Sequence, residues 1–448
     1  MIMTPQTLTE ALLDAAHRAG ADTADAMASG GASITVDVRA STLEQAERAE
    51  GTDIGLRVFV GRRQASVSAS DTKPETITAL AERAVAMARE APEDPYAGLA
   101  DPEQLARDWD LAALDLEEPD SEPAPVTLEE VARRAEEAAR AVEGVTQVQS
   151  ATAAYGHSET HLAASNGFSG GYARTDHVVS CVAIAGEGAG MERDHDSDAR
   201  IYRTDLRSPE SIGRLAGERA AAREGARKPP TGAYPVLFDE RVARSLIGHL
   251  LSAANGAAVA RGSSWLMGRL GAQVLPEGLT LLEDPHRPRV MGSRPFDAEG
   301  LPTSRRTIVE NGILTGWTLD LATARQLGMS STANAQRATS GTPSPGVWNV
   351  ALTQGDRDRA GLMRDMGTGL LVTSMIGSTI NPNTGDYSRG VSGFWVEDGQ
   401  IAYPVNEGTI AGSLPEFLCR MTPANDARPH VSHVVPSLLV EGLTLAGS

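Results

Sequence analysis

The amino-acid sequence predicts an α+β fold, in which a two-layer α/β N-terminal region is followed by a β-rich C-terminal domain. Capping-box patterns at residues 7–10 and 127–130 each open a stretch with helical apolar spacing. Apolar and polar residues alternate from 34 to 38, as in a half-buried strand. Asn-Gly at 311–312 and Asp-Gly at 398–399 are turn pairs that join hairpin strands in the C-terminal half.

The length of 448 residues is too great for one ordinary core, so two or three domains are expected. We predict an N-terminal α+β subdomain at 1–91, an acidic, proline-rich linker at 92–126, a central α+β subdomain at 127–228 and a β-rich C-terminal domain at 229–448. Six prolines mixed with Asp and Glu define the linker. The main boundary is expected at the Lys-Pro-Pro-Thr-Gly break, 228–232.

Periodicity and turn residues predict the main elements inside these units. Helices are predicted at 74–91, 127–142, 208–223 and 239–254. Strands are predicted at 55–60, 65–69, 147–153, 178–184 and 369–375. Ser165-Asn166-Gly167-Phe168 is predicted to form a hairpin turn, because Asn-Gly tolerates positive φ at both central positions.

Composition excludes several classes of function. The formal net charge of −19 disfavours nucleic acid and anionic membranes as partners. Cys181 and Cys419 are far apart and form no CxxC pair, so neither a disulfide scaffold nor a cysteine zinc site is expected. The sequence shows no signal-peptide pattern and no run of 18 apolar residues, which predicts a cytoplasmic protein without membrane spans.

A search for metal ligands finds weak patterns only. None of the nine histidines is followed by Glu, so no HExxH-type helix exists. His157, Glu159 and His161 could share one face of a strand, but a solvent-facing polar strand is the favoured interpretation. The Asp-His-Asp-Ser-Asp run at 194–198 lacks the Gly and the final Glu of an EF-hand, and a polar turn is predicted there.

No pattern for a nucleophile or a nucleotide is convincing either. GxSxG, GxGxxG and P-loop patterns are absent, and the SxxK letters at 70–73 are ascribed to chance. The segment 385–395 differs because its small residues would let another backbone approach, with Asp386 and Arg389 placed to orient it. A tight β-turn with exposed polar residues is the alternative explanation of this segment.

Several long segments resemble the TldE (PmbA) branch of the TldD/PmbA metallopeptidase family. The resemblance covers the whole chain and is strongest from about residue 230 onward. It is carried by Ser245–Ala253 (SLIGHLLSA), Glu283–His286 (EDPH), 292–300 (GSRPFDAEG), 305–307 (RRT), 366–370 (MGTGL), 385–395 (GDYSRGVSGFW), 403–405 (YPV) and 409–412 (TIAG).

The resemblance implies a heterodimer in which a TldD-type subunit carries an HExxxH helix, a downstream cysteine and a catalytic zinc. In this chain the corresponding positions hold Leu246, Ile247 and Leu251, which can neither bind a metal nor act as a base. His430 and His433 fall near the expected ligand region, but no metal is assigned to them. We therefore predict no catalytic residue and no cofactor in this chain, with zinc in the TldD-type partner.

The resemblance also implies a function. The chain is expected to be the non-metal-binding subunit of a zinc metallopeptidase that trims leader peptides or degrades unfolded chains such as an antitoxin. An extended peptide would add to a sheet edge. The residues expected to line the cavity are Arg294, Asp297, Asp386, Tyr387, Ser388 and Arg389. The alternatives are a non-enzymatic regulator resembling a gyrase modulator, a stand-alone hydrolase and, for the isolated chain, a homodimer.

Overall fold

The computed structural model describes residues 3–119 and 122–447. Its N-terminal half is built on one antiparallel sheet with the order β3-β2-β1-β4-β5-β6. The strands are β1 (Thr23–Arg39), β2 (Thr42–Val60), β3 (Arg63–Ala69), β4 (Val145–Ala164), β5 (Ser169–Ala185) and β6 (Glu192–Arg200). The helices are α1 (Pro5–Ala19), α2 (Pro74–Glu90), α3 (Leu111–Leu114), α4 (Pro125–Arg140) and α5 (Pro209–Ala221).

Four of these helices form a second layer on the sheet. Helices α1 and α2 pack on β1, β2 and β3, with α1 reaching β4, and α4 and α5 pack on the strands from β4 to β6, with α4 also covering part of β1. The apolar side chains that alternate along β1 point into this layer: Ala24, Ala26, Ala28, Ile34, Val36 and Val38. This two-layer arrangement confirms the predicted N-terminal fold, because period-two burial requires one covered face.

Two predicted helix starts are wrong. Helix α1 begins at Pro5, and its N-cap is Thr4, whose Oγ1 accepts a hydrogen bond from the Thr7 amide at 3.2 Å. Helix α4 begins at Pro125 without a side-chain cap. In both cases proline occupies the first helical position, where its fixed φ suits the turn and its missing N–H costs nothing. The capping boxes predicted at residues 7–10 and 127–130 therefore lie inside the helices.

The C-terminal half contains two larger sheets and a two-stranded ribbon. One sheet has the order β16-β15-β14-β7-β19-β17, and an additional pairing of β16 with β19 closes it on itself. Its strands are β7 (Gly232–Phe238), β14 (Gly369–Ile380), β15 (Asp386–Glu397), β16 (Gln400–Ser413), β17 (Met421–Pro423) and β19 (Leu438–Ala446).

The second C-terminal sheet has the order β10-β9-β8-β13-β18, and the ribbon pairs β11 with β12. Their strands are β8 (Leu281–Glu283), β9 (Arg306–Glu310), β10 (Ile313–Leu314), β11 (Ala335–Gln336), β12 (Ser344–Pro345), β13 (Val350–Leu352) and β18 (His433–Val434). The helices of this half are α6 (Glu240–Ala253), α7 (Gly256–Ala260), α8 (Leu321–Leu327), α9 (Arg359–Met366) and α10 (Leu414–Phe417). The predicted β-rich C-terminal domain is confirmed.

The run 194–198 is not the polar turn that the sequence predicts. It is the centre of β6, which pairs with β5 along its whole length. Asp194, Asp196 and Asp198 are buried at 7%, 4% and 4% exposure. Residues two apart lie on the same face of a strand, so the three aspartates point to one side of β6. Five arginines around them offset the cost of burying their charges.

The predicted linker region contacts both halves. Trp109 packs edge-on against Phe296, with ring centroids 5.0 Å apart, and lies 6.1 Å from Phe168 of the β4–β5 turn. The Ala106 amide donates to the Gly300 carbonyl at 2.9 Å. The division of the chain at the predicted boundaries stays a prediction. Among the described residues, no helix is long and apolar enough to cross a membrane.

Candidate functional site

Helix α6 carries Leu246, Ile247 and Leu251, the positions at which the family resemblance predicts that zinc ligands are missing. Its first turn is capped by Asp239, whose carboxylate accepts from the Arg241 amide at 3.1 Å. Leu246 and Ile247 are fully buried and Leu251 is 6% exposed. All three lie in the main C-terminal core, which also includes Tyr387. These positions therefore serve packing, since an aliphatic side chain has no lone pair for a metal.

His249 is the one titratable group on this part of α6, and it is half-buried. Its ring lies 5.8 Å from that of Tyr387 at 64°, and its Nε2 is buried without a hydrogen-bond partner. Burial, together with the nearby positive charge of Arg389, lowers the pKa of His249 to about 4. The imidazole is therefore neutral at physiological pH.

Strand β15 brings the predicted residues 386–389 alongside this histidine. Tyr387 is 2% exposed, and its hydroxyl donates to the Met375 Sδ at 3.5 Å. Burial raises the pKa of Tyr387 to about 12. The Nε of Arg389 is buried without a hydrogen-bond partner, and no described carboxylate lies within 4 Å of its guanidinium. The α6–β15 cluster therefore consists of two neutral side chains, His249 and Tyr387, and one cation, Arg389.

Asp386 and Ser388 occupy the outer part of the same strand. The Asp386 carboxylate is exposed and accepts from the Thr384 Oγ1 at 2.6 Å. Ser388 is half-buried and pairs with Thr379 of β14 and Ala411 of β16 through the backbone. The segment is accordingly a central strand of the closed sheet, and the tight-turn alternative for 385–395 is wrong.

Arg294 and Asp297 lie at a different place. Both line a pocket of about 360 Å³ between the N-terminal sheet and the C-terminal half. No hydrogen bond or ion pair between described residues joins them to the α6–β15 cluster. Of the six residues expected to line one cavity, the structure thus groups four along β15 and two at this pocket.

Two buried carboxyl groups adjoin this pocket. The Asp297 carboxylate accepts from the backbone amides of Glu299, Leu301 and Ala335 at 2.9–3.1 Å. Burial nevertheless raises the pKa of Asp297 to about 6. Burial, followed by the nearby charge of Asp297, raises the pKa of Glu299 to about 8. Near neutral pH the pair therefore retains about one proton.

The buried aspartates of β6 are the charged feature that the sequence analysis missed. Asp194 pairs with Arg241 of α6 at 3.0 Å, and Arg241 also bonds Asp239. Asp196 pairs with Arg207 and Arg219 at 2.7 and 2.8 Å. The network ties β6 to the start of α6. Its sequence signal was the i, i+2 spacing of the aspartates, which predicts a strand face.

The metal that a metallopeptidase family implies does not fit the residues of this chain. Among the described residues, no three His, Cys, Asp or Glu side chains converge as a ligand set. His430 lies 3.5 Å from Asp198, and arginines already occupy that carboxylate. His433 is on β18, and burial followed by the charge of Arg244 lowers its pKa. His249 faces the cation Arg389, which would repel a metal ion.

Solved structures define the class of protein to which this architecture belongs. A candidate DNA gyrase modulator from Bacteroides thetaiotaomicron superposes with a TM-score of 0.90 at 26% identity, covering all of both chains. TldE from Thermococcus kodakarensis superposes with a TM-score of 0.85 at 22% identity, covering 98% of this chain and all of that one, a likeness of fold. The chain thus has the mixed α/β fold of TldE-type proteins.

Sequence comparisons narrow the class to a family. Models described as PmbA/TldA metallopeptidase domain 1, central domain and C-terminal domain match residues 24–88, 115–224 and 231–447. The chain is 37% identical to metalloprotease PmbA of Escherichia coli O157:H7 over 92% of this chain and 90% of that protein. A PmbA homologue of Haemophilus influenzae is 34% identical over 93% and 90%. The chain belongs to the PmbA/TldD metallopeptidase family, as its motifs predict.

Proposed function

We propose that this chain is the non-metal-binding, TldE-type subunit of a heterodimeric zinc metallopeptidase, paired with a TldD-type subunit that holds the zinc. The proposal rests on which residues α6 carries and on their burial. Leu246, Ile247 and Leu251 are core residues at the positions where the HExxxH ligands and base would lie. A hydrolytic metal needs both ligands and a water-activating base, and neither is available there.

The partner subunit therefore performs the hydrolysis, and this chain contributes binding surface. We propose that the substrates are unfolded peptides, including leader peptides to be trimmed and an unfolded antitoxin to be degraded, and that the pair works in the cytoplasm. Arg294, Asp297 and the residues Asp386, Tyr387, Ser388 and Arg389 would line this chain's share of the cavity. The α6–β15 cluster supports this role, because Arg389 interacts with the Tyr387 side chain but keeps its Nε without a partner, so that this N–H can donate to a peptide carbonyl or carboxylate.

Reconstitution tests the proposal. The full-length chain is mixed with the TldD-type subunit of the same genome, complex formation is measured by size-exclusion chromatography with light scattering, and cleavage of an unstructured peptide is followed. We expect a heterodimer and cleavage that requires both subunits. Absence of a complex together with no gain in cleavage would contradict the proposal, and a homodimer that cleaves the peptide alone would favour a stand-alone hydrolase.

A regulatory binding role is the other candidate, favoured by the gyrase-modulator name of one structural relative. The net charge of −19 opposes direct contact with DNA, so such a regulator would act on a protein. The same reconstitution separates the two roles, because a pure regulator would leave peptide cleavage by the TldD-type subunit unchanged.

Substitutions on β15 test which residues line the cavity. Arg389→Ala is expected to lower cleavage by the reconstituted pair while leaving complex formation intact, since the side chain makes no described ion pair. Arg305→Ala, which removes an exposed arginine in the same half, serves as the control. Unchanged cleavage by alanine variants at Arg389, Arg294 and Asp386 would overturn the assignment of the cavity lining.

A further inference from the structure

The pocket lined by Arg294 differs from the α6–β15 cluster because it is a cavity with an apolar wall. Its volume of about 360 Å³ is within the range of small-ligand sites, and it lies where β1, β4 and β5 meet the segment that follows Ser293. Met27, Leu162, Tyr172 and Phe296 form an apolar wall, in which the rings of Tyr172 and Phe296 are 5.8 Å apart and edge-on.

Arg294 places an unneutralised positive charge in this pocket. Its guanidinium lies 4.0 Å from the centre of the Trp348 ring, which fixes its plane. Its Nε is buried without a hydrogen-bond partner, and no described carboxylate lies within 4 Å. A half-buried guanidinium with neither counter-ion nor full hydrogen bonding is costly unless a ligand satisfies it.

A second arginine strengthens the positive field beside the pocket. Arg174 of β5 donates from Nη2 to the Ser293 carbonyl at 2.5 Å, and its Nε is also buried without a partner. Burial lowers the pKa of Arg174, and the positive charge of Arg294 acts in the same direction, whereas Tyr172 and Asp176 act in the opposite direction. Because no described carboxylate lies within 4 Å of either arginine, their two positive charges favour an anion between them.

The other charged groups of the lining do not neutralise Arg294. Arg337 is 1% exposed and already pairs with Asp25, while its Nε is buried without a partner. The Asp297 carboxylate accepts from three backbone amides and forms no described ion pair with an arginine. The lining therefore combines Arg294, which has no described carboxylate partner, with Arg337, which is paired with Asp25, and with an apolar wall.

We propose that this pocket binds the C-terminal carboxylate of a peptide whose last side chain is apolar. The planar Arg294 matches the two oxygens of a carboxylate, and the wall of Leu162, Phe296 and Tyr172 accepts the side chain next to it. The choice of a peptide rests on the proposed function, whereas the anion site rests on the arginines. Inorganic phosphate would satisfy the charge but leave the apolar wall uncovered.

The experiment is a binding titration by calorimetry on the full-length chain without its partner. The probes are the tripeptide Ala-Ala-Phe with a free carboxylate, the same peptide as its C-terminal amide, and inorganic phosphate. We expect the free acid to bind, and the amide and phosphate to bind at least about tenfold more weakly. Because no partner and no cleavage enter this measurement, its failure and that of the proposed peptidase role are distinguishable.

Variants test the assignment to Arg294. Arg294→Gln should weaken binding of the free acid by about tenfold or more, and the matched control Arg305→Gln should not change it. The comparison of acid with amide on the unmodified chain keeps the test valid if the variant misfolds. Equal binding of acid and amide, phosphate binding as tight as that of the acid, or unaltered binding by a folded Arg294→Gln would overturn the proposal.

Discussion

At the scale of single residues, burial changes the ordinary charge states of two ionisable groups, His249 and Glu299. His249 is neutral beside Arg389, and Glu299 is protonated beside Asp297 because burial outweighs the opposing charge of Arg57. Neither shift was predictable from the sequence, since burial is the largest cause of each and burial depends on the fold. That Leu246, Ile247 and Leu251 cannot bind a metal was predictable, because it follows from residue identity alone.

The titration of His249 tests the geometry of the α6–β15 cluster. Its pKa of about 4 reflects burial first and the charge of Arg389 second, so Arg389→Gln should raise it. An NMR titration of histidine-labelled protein measures the change, with Arg305→Gln as the control. An unaltered pKa in Arg389→Gln would show that the two side chains do not interact.

Glu299 makes stability depend on pH. The pKa of Glu299 is about 8 in the folded chain and near its ordinary value of 4.5 when the chain is unfolded, so between these values only the folded state binds the proton. The contribution of Glu299 to the free energy of unfolding therefore falls as pH rises, by at most about 1.4 kcal/mol per pH unit.

Replacing this carboxyl by an amide tests the effect. Glu299→Gln keeps an oxygen to accept from the Leu321 amide and should flatten the fall in unfolding free energy between about pH 5 and pH 8. Urea unfolding across that range measures it, with the exposed Glu310→Gln as the control. The same pH slope in Glu299→Gln and the unmodified chain would refute the buried-proton account.

At the scale of elements, local patterns predicted those parts of the fold that local physics decides. The Asn166-Gly167 turn joins β4 to β5 with positive φ at Gly167 only, and Asp398-Gly399 joins β15 to β16 with positive φ at both residues. Glycine, asparagine and aspartate favour such turns whatever surrounds them. The run at 194–198 was mistaken for a turn because burial of three aspartates depends on arginines supplied by α5, α6 and their neighbours. The i, i+2 spacing of the aspartates indicates a strand face, but the arginines that permit their burial are identified only by the structure.

The ion-pair network on β6 should contribute more to the free energy of unfolding than the surface ion pairs do. Asp194 is 7% exposed and pairs with Arg223 and Arg241. Asp194→Ala should therefore cost about 1.5–3 kcal/mol of unfolding free energy, since Arg223 and Arg241 each lose one of their two carboxylate partners. Denaturant unfolding measures the loss.

An exposed ion pair supplies the control for this network. Asp205 pairs with Arg289 at 3.3 Å on the surface, and Asp205→Ala should cost less than about 1 kcal/mol. Equal losses for Asp194→Ala and Asp205→Ala would mean that the buried network does not stabilise the junction of β6 with α6.

At the scale of the whole molecule, two halves are held together by charge and by aromatic packing. Arg241 joins β6 to α6, and Trp109 of the acidic segment packs on Phe296. The pocket of Arg294 lies in this same junction, so any ligand there would contact both halves. The family and the α+β fold followed from the sequence, whereas this junction and its pocket required the structure.

The central claim is that this chain supplies a subunit of a metallopeptidase without supplying its metal site. Metal analysis of the purified chain, of the TldD-type subunit and of their complex tests it most directly. We predict no stoichiometric zinc in this chain alone, one zinc per heterodimer in the complex, and peptide cleavage that needs both subunits. Stoichiometric zinc bound to this chain alone, retained after dialysis, would contradict the account.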